Sequence, residues 1–356
     1  MISFTSFISP GEGMEFPRLT RQVELLRSPF FVEDIQFIEY REDPLTGVPC
    51  RINTRRTRRP KQAQRPIAMT EVTAKPGDCP FCPENIEGAT PRFPTDLCPQ
   101  GRIQRGQCRL FPNLFPLAEY HATATLTEKH FVPLNGFAAS DLINSLAATL
   151  EYLALVHRKN PEAEYPLYIW NHLPPSAASI IHPHVQVMVD RRPTAYQERL
   201  LEASKEHLAK TGSNFWMELV RGEKRRGDRF IAENDSVSAL ASYAPQGNRE
   251  ALMVFRKASN LADLDTRQIA DFAQVMVGLL RGYHQMGVSS FNVSTFSGPY
   301  GKRLDYYNLN AKLIARPAFH SFYRSDTGIL ERLHYEADIE MEPEEVAARL
   351  RASFPS

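Results

Sequence analysis

The chain runs twice through one order of elements, and this restricts its fold more than any other feature of the sequence. In the first copy, Tyr120 to Phe131 reads as a strand ending near His130, with Ala122, Ala124 and Leu126 alternating with Thr123, Thr125 and Thr127. A period of two puts these sets on opposite faces. Ser140 suits the N-cap of an amphipathic helix whose stripe is Leu142, Leu146, Leu150 and Leu153. Tyr165 to Trp170 is a strand rich in aromatic and β-branched residues. A loop of Pro, Ser and Ala follows from Asn171 to Ser179, and a strand from Ile181 to Val189 closes the copy. The second copy offers a strand at Ala251–Phe255 and a helix from about Asp265 carrying Ile269, Phe272, Met276 and Leu279. Gly287 stands at its C-terminus, then come a strand at Ser290–Ser294, a Ser297-Gly298-Pro299 loop and a strand at Tyr307–Ile314. A last helix starts near Pro343 and carries Val346 and Leu350.

The two closing strands differ in chemistry. His182, His184 and Gln186 share one face of the first, with Val185, Val187 and Val189 behind them. A half-buried strand with satisfied polar residues would read the same way, and the flanking sequence decides between that and chemistry. The second copy has Asn308, Asn310 and Lys312 at the corresponding places, none of which serves as a histidine nucleophile. One nucleophile site per chain is therefore expected.

Ahead of the repeats, Phe37–Arg41 reads as a strand and Asp43-Pro44-Leu45-Thr46-Gly47 as a turn, while residues 1–30 are weakly patterned. The run from Arg51 to Lys61 is rich in arginine. It suits either a solvated charged face or guanidinium forks for phosphate, and without interleaved aromatics it does not suit single-stranded nucleic acid. Cys79-Pro80-Phe81-Cys82 is a single C-x-x-C knuckle, and Pro83 argues against the helix that a redox pair would need. As half of a zinc site it needs two more ligands, for which histidines are the obvious supply. Cys98 and Cys108 form no second knuckle and are read as structural.

The 356 residues suffice for two domains, and a net charge of +1 gives no global reason to expect nucleic acid or an anionic membrane as partner. No stretch approaches the roughly 18 apolar residues of a membrane span. Five cysteines and an N-terminus without a basic, then apolar, leader point to a reducing cytoplasm.

The Asn171–Gln186 segment, the C-x-x-C pair and the lone His130 together resemble the galactose-1-phosphate uridylyltransferase family of the histidine-triad superfamily. The resemblance runs from about Asp43 to the C-terminus and is strongest in the first half. It implies an α+β fold of two tandem histidine-triad-like domains, each an antiparallel sheet with helices packed on it. Residues 1–205 would hold the zinc site and the nucleophile, and residues 206–356 the degenerate copy.

Carried over residue by residue, the resemblance makes Cys79, Cys82, His130 and His182 the ligands of one structural Zn2+ per chain. His184 becomes the nucleophile and Gln186 the residue that steadies the nucleotidyl-enzyme. Arg56, Arg59, Asn113, Asn171 and Ser179 become nucleotide and phosphate contacts, and Tyr335 and Glu336 match the sugar side. The activity implied moves a nucleoside monophosphate between a nucleoside diphosphate sugar and a sugar 1-phosphate through a covalent nucleotidyl-histidine. The same site suits a nucleotide-sugar or dinucleoside polyphosphate phosphorylase or hydrolase, and a nucleotide-binding protein without catalysis is the reading from another class. Nucleotides and sugar phosphates would be its partners, and a homodimer is allowed for. One departure bears on the substrate. Where the family has glycine between the asparagine and the serine, this chain has His172-Leu173-Pro174-Pro175-Ser176-Ala177-Ala178, which restricts backbone approach to a ligand.

Overall fold

The computed structural model describes residues 14, 16–58, 69–74, 77–319 and 325–355. The chain enters through the hairpin β1 (Arg18–Arg27) and β2 (Val32–Glu42), exposed along most of its length, and β3 (Pro49–Ile52). Two single-turn helices, α1 (Met69–Val72) and α2 (Ile86–Ala89), precede the first repeat. That repeat holds β4 (Ile103–Arg105), β5 (Cys108–Pro112), β6 (Tyr120–Thr125), α3 (Ala139–Lys159), β7 (Tyr165–His172) and β8 (His184–Asp190). Helices α4 (Ala195–Thr211) and α5 (Phe215–Arg226) separate it from the second. Then follow β9 (Phe230–Glu233), β10 (Val237–Ala241), β11 (Ala251–Phe255), α6 (Thr266–Gln285), β12 (Ser290–Phe296) and β13 (Asn310–Arg316). The short α7 (Ile329–Leu333), β14 (Ala337–Ile339) and α8 (Pro343–Arg351) complete the described elements.

The two repeats share a single antiparallel sheet. Its order, β4-β5-β6-β8-β7-β12-β13-β11-β10-β9, is the first half followed by its mirror image. The β7–β12 pair joins the halves, with Asn171 opposite Asn292 and Ile169 opposite Ser294. The fold is thus α+β and antiparallel in each half, and the half-sheets are continuous rather than separate. Residue 205, where the sequence divides the chain, lies within α4. A smaller sheet, β1-β2-β3-β14, brings the N-terminal hairpin to the C-terminal segment.

The two faces of the large sheet are covered differently. Helices α3 and α6 pack on the apolar face, where Leu142, Leu146 and Leu153 join Val185, Val187 and Val189 in one core. Each such side chain contributes about 1.5–3 kcal/mol on burial. On the opposite face of the second half, α4 and α5 lay Leu200, Trp216 and Leu219 over Leu240, Leu252 and Val254. These two helices were not anticipated from the sequence, although Thr194 and Asn214 cap their starts and Gly212 and Gly227 their ends.

Several boundaries move, among them the closing strand of the second copy, expected from Tyr307 and observed at Asn310–Arg316. The strand expected to reach His130 ends at Thr125, and His130 lies in the irregular segment beyond it. The helix expected from Ser140 starts at Ala139, with the Ala138 N–H donating to the Asp141 carboxylate at 3.0 Å, so Ser140 belongs to the first turn. The closing strand of the first copy starts at His184, because Pro183 has no N–H to enter a ladder. His182 therefore precedes the strand and does not share its face.

Candidate active site and metal centre

That displaced His182 reaches the knuckle. Cys79, Cys82, His130 and His182 are all buried, and their ligand atoms lie within 4.8 Å of one another. Cys82 Sγ is 3.5 Å from His130 Nδ1 and 3.7 Å from His182 Nδ1. A tetrahedral ion at Zn–S of about 2.3 Å and Zn–N of about 2.0 Å would hold sulfur and nitrogen about 3.5 Å apart. The donors therefore have the spacing of a zinc site. His182 Nε2 lies 2.7 Å from the Thr127 carbonyl, which only accepts, so its proton sits there and Nδ1 keeps the lone pair that a metal ion would use.

His184, the first residue of β8, has its Nδ1 2.8 Å from the His182 carbonyl. The same logic puts the proton on Nδ1 and the lone pair on Nε2. The ring is buried, edge-on to Phe81 of the knuckle with centroids 5.2 Å apart. Burial pushes its pKa below the ordinary imidazole value, against the smaller pull of the His182 carbonyl.

Two residues on from His184, Gln186 shares its face of β8 and meets β6 opposite Thr123. Its Oε1 lies 2.9 Å from Nε2 of His121 and 3.4 Å from Nδ2 of Asn113. The structure thus joins Asn113 to Gln186. His121 was not singled out in the sequence, although extending the Thr123–Thr125 alternation back by one step reaches it.

The loop from β7 to β8 carries the mark of its missing glycines. Leu173 has φ 70 and ψ 159, and Ala177 has φ 69, conformations that glycine adopts without strain. Ser176 Oγ donates to the Leu173 carbonyl at 2.8 Å. Asn292 of β12 donates through Nδ2 to the Ser176 carbonyl at 2.9 Å and to Asn171 Oδ1 at 2.6 Å. Ser179 is exposed.

The remaining expected residues lie elsewhere. Arg56 pairs with Asp338 at 2.5 Å in a cleft that also includes Arg249 and Arg316. Arg59 lies outside the described residues. Tyr335 is exposed at positive φ, and Glu336 accepts from Arg51 at 2.5 and 3.1 Å. Among the described residues, no hydrogen bond or ion pair links Arg56, Tyr335 or Glu336 to His184 or Gln186.

In the second half, Asn310 occupies the place of His184 and Lys312 that of Gln186. The Phe255 N–H donates to the Leu309 carbonyl just as the Leu126 N–H donates to that of Pro183. Asn310 Nδ2 donates to the Asn308 carbonyl at 3.0 Å, repeating the His184–His182 contact. Lys312 pairs with buried Glu250 at 3.1 Å and donates to Tyr196 of α4 at 3.2 Å. This copy of the site is filled by the protein's own side chains.

No protein-family model matches the chain. It is 30% identical over 342 residues to an uncharacterized protein of Archaeoglobus fulgidus, covering 95% of this chain and 98% of that one. Among solved structures, an ADP-glucose phosphorylase from Arabidopsis thaliana with bound ADP-glucose superposes with a TM-score of 0.70 at 16% identity, over 88% of this chain and 98% of its own. A uridylyltransferase superposes with a TM-score of 0.66 at 21% identity, over 88% and 98%. At these identities the likeness is one of fold.

Proposed function

For a chain that belongs to one family with the Archaeoglobus protein and is related in fold to the galactose-1-phosphate uridylyltransferases, we propose nucleotidyl transfer through a covalent intermediate on His184. The observation that carries this is the hydrogen bond from His184 Nδ1 to the His182 carbonyl, which presents a neutral Nε2 as nucleophile.

In the first half-reaction, Nε2 attacks the α-phosphorus of a nucleoside diphosphate sugar. A P–N bond forms as the bond to the bridging oxygen breaks, and a sugar 1-phosphate leaves. In the second, a phosphate oxygen of the acceptor attacks the same phosphorus and the P–N bond breaks, returning neutral His184. Negative charge gathers on the nonbridging oxygens in both transition states, so amide donors at Gln186 and Asn171 stabilise them. Cys79, Cys82, His130 and His182 would hold zinc as a closed structural site that fixes the segment leading into His184.

The test is chemical. The protein is incubated with α-labelled UDP-glucose, ADP-glucose or a dinucleoside polyphosphate and quenched in alkali, where a phosphoramidate survives. Acid-labile label on the wild type and none on His184→Ala is expected. Absence of label from every nucleotide would refute the covalent mechanism. Chasing labelled protein with a sugar 1-phosphate, inorganic phosphate or water separates transferase, phosphorylase and hydrolase.

A further inference from the structure

We infer that His121 and Asn292 are positioning residues that set the polarity of the site's two amides, turning the NH2 groups of Gln186 and Asn171 toward the substrate. The kinetic consequence rests on the nucleotidyl-transfer reading, whereas the geometry does not.

Each chain of hydrogen bonds starts from a group that can act in one direction only, which resolves the usual ambiguity between amide oxygen and nitrogen. The Leu117 N–H donates to His121 Nδ1 at 3.0 Å, so the proton of a neutral His121 is on Nε2. That Nε2 faces Gln186 at 2.9 Å, and the atom it meets must accept, which makes it Oε1. Asn113 agrees. Its Oδ1 accepts from the Phe115 N–H at 2.9 Å, which leaves Nδ2 to face Thr123 and Gln186 Oε1. With the Gln186 oxygen held from two sides, its NH2 points away from both.

The second chain begins at Arg316, whose guanidinium only donates. Its Nη1 donates to Asn292 Oδ1 at 3.0 Å, which makes the other end of that amide nitrogen. The Ser176 carbonyl, which only accepts, requires the same assignment at 2.9 Å. The Asn171 atom 2.6 Å from that nitrogen is therefore Oδ1, and the Asn171 NH2 is turned elsewhere. Asn292 belongs to β12 and Arg316 to β13, so the repeat that has no nucleophile orients a donor of the repeat that has one. A wrongly turned amide would direct an oxygen at the phosphoryl group, replacing attraction with repulsion in the transition state.

The test is a set of rate constants for labelling of His184, measured by quenched flow on full-length protein that melts like wild type. His121→Phe, and Asn292→Asp, which keeps the Arg316 partner but loses the donor, should each slow labelling about 10- to 100-fold. Nucleotide affinity should change by less than about threefold, since the interaction gains its strength in the transition state. In a Gln186→Ala background, His121→Phe should cost no more than about twofold, because the residue it orients is gone. Equal slowing in both backgrounds, or unchanged rates in both single variants, would overturn the proposal. A long-range 1H–15N spectrum of the wild type tests the His121 tether whether or not the protein is labelled. A neutral His121 protonated on Nε2 is required, and a proton on Nδ1 overturns it. Unlabelled wild type with the Nε2 tautomer would sink the nucleotidyl-transfer reading and leave the tether standing.

Discussion

The His172 ring is buried among Phe137, Trp170 and Phe291, with the Phe291 ring stacked on it at 5.0 Å between centroids. Neither ring nitrogen has a hydrogen-bond partner among the described residues. Burial, aided by nearby His184, lowers its pKa to about 3. The unfolded chain binds a proton at this histidine near pH 6.5 while the folded chain does not until about 3, so folding loses stability as pH falls through that window. His172→Leu, which leaves no unsatisfied nitrogen, should raise stability by about 1 kcal/mol near neutrality. Urea unfolding should show the gain widening at about pH 5 relative to about pH 8. A gain that is absent, or flat with pH, would contradict the account of this ring. Its neighbours Leu173 and Ala177 add backbone strain on the same loop, where departures from favoured geometry concentrate at functional sites.

At the level of elements, one proline divides the labour of two histidines. Had the strand begun at Ile181, His182 and His184 would have shared one face. Pro183 delays it to His184, and the residue before turns into the cysteine knuckle. The zinc assignment gives this arrangement a measurable consequence. The purified protein should contain about one zinc per chain, and Cys79→Ser should lose it. Chelation should lower the melting temperature, since a structural site adds its binding free energy to folding. Metal-free protein with unchanged stability would remove zinc from the account. Helices α4 and α5 act on the other half of the sheet, where they cover Leu240, Leu252 and Val254.

For the whole molecule, a cluster around Glu344 ties the small sheet to the second half. Its carboxylate accepts from Arg41 of β2 at 2.9 and 3.0 Å and from Arg229 at 2.8 Å. Burial pushes the Glu344 carboxyl up, but the two guanidiniums outweigh it and bring its pKa to about 2. A depressed carboxylate stabilises above its unfolded value of 4.5 and loses that contribution as pH falls toward 2. The stability difference between wild type and Glu344→Gln should therefore be full at neutral pH and shrink below about pH 4.5. Chemical denaturation at several pH values measures it, and a pH-independent difference would argue against the pairing.

Much of this was legible in the chain itself. The period-two alternation, the helix stripes and the repeated order specify antiparallel half-sheets with helices, because burial of one face is a local pattern repeated along the sequence. Cys79, Cys82, His130, His182 and His184 stand out by residue type, and the gathering of the first four follows from tertiary folding. What the sequence left open are relations between segments far apart in it. The joining of the half-sheets at β7 and β12 depends on backbone hydrogen bonds that every residue can make, so no side chain announces it. The tethers His121–Gln186 and Asn292–Asn171 span 65 and 121 positions and arise only from strand register. The tautomers follow the same rule. Which nitrogen of His121 or His184 carries the proton is set by the carbonyl or amide that the fold brings beside it, and composition alone carries no record of that neighbour.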